Sequence, residues 1–219
     1  DALLAPKGAP PGFINFRMRR EWLQAQVEAV LLEGERYGNL TQEHPQRVQV
    51  EFVSVNPTGP VHVGHARGAV LGSGLASILA AAGHQVSKEY YINDAGTQMN
   101  VFYRSLYVRY LQALGRDALM PENGYMGEYM VELGKEVASE HGDRFAQMTE
   151  AEAMAAIGRI GVERMLSLIR ADLESIGVTF DVWFSERSLY ESGEYAQTMD
   201  LLKANGYLTQ REGATWFAS

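Results

Sequence analysis

Apolar and polar residues follow two different periods along this chain, and the switches between them mark its elements. Phe13–Met18 (FINFRM) alternates like a strand, and Glu21–Leu32 has the spacing of an amphipathic helix closed by Gly34. Val48–Val55 is a β-rich run that ends at Asn56-Pro57. His65–Ala82 is helical, with Gly83 placed as the left-handed residue just past its end. Gln85–Ile92 is the second strand, and a helix over Gln98–Leu114 stops at Gly115. Strand, helix, strand, helix at this spacing predicts an α/β fold, a parallel sheet with right-handed crossovers.

The pattern then changes. Residues 119–177 hold two long helical stretches and no strand, the second opening on a capping box at Thr149-Glu150-Ala151-Glu152 and ending at Gly177. Met130, Leu133 and Val137 in one, and Met165, Leu168 and Leu173 in the other, form apolar core stripes. Thr179–Phe184 returns as a strand, Tyr190–Asn205 as a helix followed by Gly206, and Tyr207–Phe217 as a hairpin turning at Glu212-Gly213. Residues 1–12 are rich in Pro and Gly and read as a linker or a cut end. Four segments result: 1–46, a leading piece with a linking helix; 47–118, the first half of the α/β unit; 119–178, a helical insertion; and 179–219, a return to the α/β unit that stops within an apparent strand. The whole reads as a piece of a longer protein.

Composition narrows the function classes. A chain of 219 residues with 46% hydrophobic content buries one good core. It has no cysteine, which excludes a disulfide scaffold and a thiolate zinc site and fits a cytoplasmic protein. There is no run of 18 apolar residues and no basic-then-apolar leader, so no membrane role is expected. The net charge of −8 is uneven: −1 over residues 1–46, +2 over 47–118 and −9 over 119–219. A mild positive balance in only one segment suits a small phosphorylated ligand better than a long nucleic-acid footprint.

That segment contains His62-Val63-Gly64-His65, between the β-rich run and the long small-residue helix. The layout sets two imidazoles and backbone N–H groups at a helix N-terminus, where the local field favours phosphate oxygens. The rings are read as donors to phosphate as charge develops during displacement at phosphorus, with Gly64 leaving room for the ligand. Two solvated loop histidines are the plain alternative; a metal pair is a poor one, because i, i+3 histidines without nearby thiol or carboxylate ligands make an incomplete shell. Strand alternation would put Glu51 on one face with Val53 and Val55, a half-buried carboxylate needing a cation, either Arg47, Lys88 or a ligand. Asn56 either caps the turn or joins Glu51 in holding a cationic ligand beside the phosphate site. Asn93-Asp94-Ala95-Gly96-Thr97-Gln98 is a turn with a helix cap, placed at the end of a neighbouring strand and so near the same crevice. Tyr90, Tyr91, Tyr103, Tyr107 and Tyr110 are read as packing residues.

The string EFVSVNPTGPVHVGHARG, with YYINDAGTQ some 25 residues on, resembles the bacterial arginyl-tRNA synthetases. FDVWFSE at 180–186 and GATWF at 213–217 are similar to later segments of that family's catalytic domain, and INFR to the end of its N-terminal additional domain. The resemblance implies the first half of a Rossmann-like class I synthetase catalytic domain. It also implies arginine, ATP with Mg2+ and tRNA(Arg) as substrates, arginyl-adenylate as intermediate, no structural zinc, and a monomeric full-length enzyme. Pro57, Thr58, Gly59, His62, Gly64 and His65 would then bind ATP, with His62 and His65 catalytic. Glu51, Ser54, Asn56, Asp94 and Gln98 would bind arginine. Some family members carry a lysine where this chain has Gly59, and the resemblance then assigns the missing charge to a K-M-S-K-type loop that this sequence does not reach. Without that loop and the anticodon-binding domain, residues 1–219 alone are expected to be inactive. Two other readings compete. One is a small H-x-G-H nucleotidyltransferase such as a pantetheine-phosphate adenylyltransferase or pantothenate synthetase, against which count the 60 or so residues before the motif. The other is a non-catalytic module binding tRNA or a protein partner through the helical insertion.

Overall fold

The computed structural model describes residues 3–218; Asp1, Ala2 and Ser219 lie outside it. The chain divides into two units, one made of residues up to Arg47 with Ser77–Gln85, the other of Val48–Ala76 and everything from Val86 onward.

In the first unit, β1 (Leu3–Ala9) pairs antiparallel with β2 (Phe13–Met18), so most of the expected linker is a strand. Its proline is tolerated because the register shifts between Leu3 and Pro6, and a ladder irregularity is where a residue without an N–H fits. Helix α1 (Arg20–Glu33) ends as expected at Gly34, whose φ of 56° lets its N–H reach the Val30 carbonyl. None of its side chains is buried, and Leu23, Val27 and Leu31 face solvent. This unit also receives the end of α2 (Val63–Ala81). There the Leu40 N–H (2.7 Å) and the Gln42 side-chain amide (2.8 Å) take up the Ala81 and Ala82 carbonyls, which the helix leaves without partners. Gly83 follows at φ 91°, where a Cβ would stand 2.6 Å from the Leu40 carbonyl oxygen, so only glycine fits.

The second unit carries a parallel sheet of β3 (Arg47–Glu51), β4 (Gln85–Ile92) and β5 (Val182–Ser185), in that order. Tyr90 lies opposite Trp183 and Ile92 opposite Ser185. The first β-rich run stops at Glu51, short of Val55, because Val53 and Ser54 turn to φ 65° and 44°. The third strand starts only at Val182; before it, Asp181 grips Lys88 by a backbone N–H to the Lys88 carbonyl and by a carboxylate that accepts the Lys88 N–H at 2.7 Å. Behind the sheet lie α3 (Thr97–Ala113), α4 (Glu128–His141) and α5 (Glu150–Ser175), the last opened by the expected capping box of Thr149 and Glu152. Phe102, Leu106 and Tyr110 of α3 meet Met130, Leu133 and Val137 of α4 and Ile157 and Met165 of α5 in one buried cluster. Further along α5, Ile169 and Leu173 turn to a second cluster with Tyr90, Ile92 and Ala69, where Tyr90 stacks on Trp183 at 4.4 Å. Burial pushes the Tyr90 hydroxyl far above its ordinary pKa. Leu168, expected in the core, is 50% exposed, one position short of Ile169 and on the solvent side of the helix.

The expected helix over Tyr190–Asn205 is two, α6 (Glu186–Glu191) and α7 (Glu194–Ala204), broken where Gly193 takes φ 79°. The final hairpin of β6 (Leu208–Arg211) and β7 (Ala214–Phe217) turns at Glu212 and Gly213, both with positive φ, as such a two-residue turn requires.

Glycines set how near the helices lie. At Gly134 a Cβ would be 2.7 Å from the Arg109 backbone carbon, so α3 and α4 touch main chain to main chain. Gly134→Ala should therefore lower stability by about 1–3 kcal/mol through overpacking, outweighing the gain of about 1 kcal/mol in helix propensity. Gly74→Ala in α2, where nothing lies within 4 Å, should keep that gain. Thermal unfolding of the two variants checks the opposite signs.

Candidate active site

The reversal at Val53-Ser54 builds the site. Left-handed backbone at a β-branched residue costs on the order of 1–3 kcal/mol, and it persists only where neighbours hold it. Here Ser54 Oγ accepts the Tyr91 N–H (3.0 Å), replacing a rung of the β3–β4 ladder, and donates to the Phe52 carbonyl (3.4 Å). The buried Tyr90 hydroxyl donates to the Val55 carbonyl at 2.9 Å. Glu51, now the last strand residue, is exposed together with Arg47 and Gln49, and the alternation that would have placed it with Val53 and Val55 is broken. Neither Arg47 nor Lys88 pairs with it among the described residues.

Past the reversal, Asn56 donates through its side-chain amide to the Gln98 carbonyl oxygen in a short hydrogen bond, joining the turn after β3 to the first turn of α3. Pro57 and Thr58 are buried. Tyr129 of α4 donates its hydroxyl to the Thr58 carbonyl at 2.7 Å, and burial pushes that hydroxyl up to about 12. A Cβ on Gly59 would stand 3.2 Å from the same hydroxyl, so the absent side chain is filled by Tyr129.

His62 and His65 stack, their ring centroids 3.7 Å apart and their planes 22° from parallel. The Gly64 N–H donates to His62 Nδ1 (3.1 Å) and the His62 N–H to His65 Nδ1 (3.2 Å). Backbone donors expected to be free for phosphate are thus spent on fixing the rings. With each Nδ1 an acceptor, both imidazoles are neutral and carry their proton on Nε2. Partial burial, and then the neighbouring His62, hold the His65 pKa below its ordinary 6.5. A Cβ on Gly64 would lie 2.9 Å from the His62 ring, so the missing side chain also gives that ring its place. A cavity of about 700 Å3 opens over this loop, lined by Ser54, Asn56, Thr58, Gly59, His62, His65, Tyr125 and Tyr129.

Asp94 is 8% exposed and does not cap α3, whose N-cap is Gly96. Its carboxylate accepts the Ser185 hydroxyl (2.7 Å) and the Arg187 N–H (3.0 Å), while the Arg187 guanidinium donates to its carbonyl (2.8 Å) and to the Tyr103 hydroxyl (2.6 Å). Glu51, Asp94 and Glu186 stand at or just past the carboxyl ends of β3, β4 and β5, an acidic zone, and burial followed by the charges of Glu186, Tyr190, Asp94 and Glu51 raises the Tyr91 hydroxyl pKa there. Glu186, Arg187, Tyr125 and Tyr129 are site residues that the sequence alone did not single out, and Tyr91, expected only to pack, also borders the site. Only FDVWFSE, already noticed for its resemblance, pointed toward Glu186. No group of three or more metal-ligating side chains is gathered among the described residues.

Comparison with known proteins gives this arrangement a setting. Residues 26–217 match the model of the class I tRNA synthetase (R) catalytic domain. The chain belongs to the class I arginyl-tRNA synthetases. It is 54% identical over 211 residues to the arginine–tRNA ligase of Dehalococcoides mccartyi and 48% identical to that of Bacillus subtilis, each alignment covering 96% of this chain and 38% of the relative. The chain thus spans less than half the length of these curated relatives. Among solved structures, a Campylobacter jejuni arginyl-tRNA synthetase superimposes with a TM-score of 0.75 at 31% identity, over 92% of this chain and 44% of that one. The Thermus thermophilus arginyl-tRNA synthetase shares the fold, with a TM-score of 0.55 at 24% identity, over 97% of this chain and 34% of its own. No helix among the described residues is long and apolar enough to cross a membrane.

Two outcomes follow for this loop. Gly59→Ala should destabilise by about 1–2 kcal/mol in the natural background and by measurably less beside Tyr129→Phe, a non-additivity that a double-mutant cycle of urea unfolding would show. The folded value of His65 lies below 6.5 and the unfolded value at 6.5. Between them the unfolded chain binds more protons, so stability rises with pH up to about 6.5, is level above it, and falls on acidification through the lowered value. Urea midpoints measured across this range should lose that step in His65→Asn.

Proposed function

We propose that this chain is the arginine- and ATP-binding part of an arginine–tRNA ligase, which activates arginine to arginyl-adenylate and transfers it to tRNA(Arg). The observation that carries the reading is the neutral, stacked His62–His65 pair sharing one cavity with Asn56, itself joined to Gln98. In activation, the arginine carboxylate attacks the α-phosphorus of ATP and pyrophosphate leaves. Both Nε2–H groups donate to phosphate oxygens as their charge grows, and fixed neutral donors do so without reorganising. Pro57, Thr58 and Gly59 shape the turn against which ATP lies, with Gly64 beneath the His62 ring. ATP would bring Mg2+ on its phosphates.

The substrate guanidinium is a cation and belongs in the acidic zone around Tyr91, where Glu51 has no ion pair among the described residues and Glu186 adds a second carboxylate. Asn56 and Gln98 meet the polar groups of the amino acid; Ser54 supports them from below, its hydroxyl committed to backbone. The domain reading goes with this assignment: 1–46 a remnant of the preceding domain, 47–118 and 179–219 catalytic, and 119–178 an insertion that shares its core with α3. The reading also carries a cytoplasmic setting and a monomeric full-length enzyme.

Glu51→Gln in the full-length enzyme should weaken arginine use by about 2–4 kcal/mol with little change for ATP, since a charge-assisted pair becomes a neutral one. An unaltered arginine KM removes Glu51 from the guanidinium site. His62→Asn and His65→Asn should lower kcat for adenylate formation by about 10²–10³-fold, with smaller effects on ATP binding, as read by ATP–pyrophosphate exchange.

A further inference from the structure

The carboxyl ends of β4 and β5 are joined by one part-buried cluster around the buried Asp94 that substrate binding, as proposed above, does not use. Asp94 ends the β4 loop, and its backbone N–H donates to the Ile92 carbonyl at 3.0 Å. One carboxylate oxygen takes the Ser185 hydroxyl, the other takes the Arg187 N–H, and the guanidinium closes the ring by donating to the Asp94 carbonyl and the Tyr103 hydroxyl of α3. Main chain and side chain of Asp94 are thus both engaged, behind a residue that is 8% exposed. A carboxylate so enclosed, each oxygen already accepting a hydrogen bond, offers little face to an incoming guanidinium or amino group.

We infer that Asp94 is a positioning residue rather than an arginine ligand: with Ser185, Arg187 and Tyr103 it clamps the 93–96 loop that leads into α3 to the β5–α6 junction. Two consequences reach the site. Gln98, four residues beyond Asp94, is held where Asn56 can donate to it. Glu186 is fixed from both sides, because its neighbours Ser185 and Arg187 both bond Asp94. The clamp sets the geometry of a pocket whose charge comes from other carboxylates. This inference rests on the arginine-binding reading.

Asparagine and alanine at position 94 separate a clamp from a ligand. An asparagine keeps an acceptor for the Arg187 N–H, and the Ser185 hydroxyl can reverse and accept from its amide, so the clamp survives; a carboxylate that holds a substrate cation has no such substitute. In the full-length enzyme, Asp94→Asn should raise the arginine KM by no more than about fivefold, whereas Asp94→Ala and Arg187→Met should each raise it about 30-fold or more. The ATP KM should stay level, and the double variant Asp94→Ala/Arg187→Met should lose no more than the worse single one, since both remove the same clamp. Ser185→Ala, which keeps both charges, should show a milder loss of the same kind if the alanine variant at 94 proves insoluble. The inference is overturned if Asp94→Asn is as damaging as Asp94→Ala, if Arg187→Met leaves the arginine KM unchanged, or if the two losses multiply. Glu51→Gln run alongside tells the two readings apart: a normal arginine KM there counts against the arginine site itself, whatever the Asp94 variants do.

Discussion

The site hangs on one backbone reversal. At Val53-Ser54 the first strand stops following its sheet and swings into the left-handed region, and a β-branched residue does not go there unforced. Three groups hold it: the Ser54 hydroxyl on the Tyr91 amide, the Tyr90 hydroxyl on the Val55 carbonyl, and the packing of Val53 and Val55 into the sheet core. Each is supplied by, or rests on, β4, the central strand. Had the strand run on to Val55, Glu51 would lie on one face with Val53 and Val55, and Asn56 would have been carried along the sheet away from Gln98. The strain is local, and its effect is to aim everything from Asn56 to His65.

The helical layer supports the same loop from the other side. Tyr129 comes from α4, in the segment expected to be an insertion, yet its hydroxyl ends on the Thr58 carbonyl. The helix that carries it is located by α3, which begins directly after the loop bearing Asp94 and carries Gln98 in its first turn. Tyr103 sits on the same helix, under the Arg187 guanidinium. Loop, clamp and tyrosine therefore refer to one rigid element.

Much of this was legible in residue order. Helix ends at Gly34, Gly83, Gly115 and Gly177, the capping box at Thr149 and the final hairpin follow from local chemistry that packing does not override. That the motif histidines and Asn56 border one crevice, with Gln98 beside Asn56, was legible as well. What failed depended on long-range partners. Alternation extended β3 to Val55, because nothing local in Val53-Ser54 signals a positive φ; the residues enforcing it are some 37 positions away. Asp94 resembled a helix cap because Ser185 and Arg187, 91 and 93 positions on, are invisible from its neighbourhood. Leu168 fitted a stripe whose true axis is set by where α5 passes from the helical core to the sheet.

The double duty of α3 bears on how such a chain can diverge. One inserted residue in this helix would rotate all that follows by about 100°, turning Phe102, Leu106 and Tyr110 away from α4 and α5 if placed early, and leaving Tyr103 off its arginine. The stretch between α3 and α4, by contrast, runs from Leu114 to Gly127 outside any helix or strand. Length changes among descendants should accumulate there and be almost absent between Thr97 and Ala113, so the reading frame of one helix acts as the fixed ruler against which loops on both sides are free to grow or shrink.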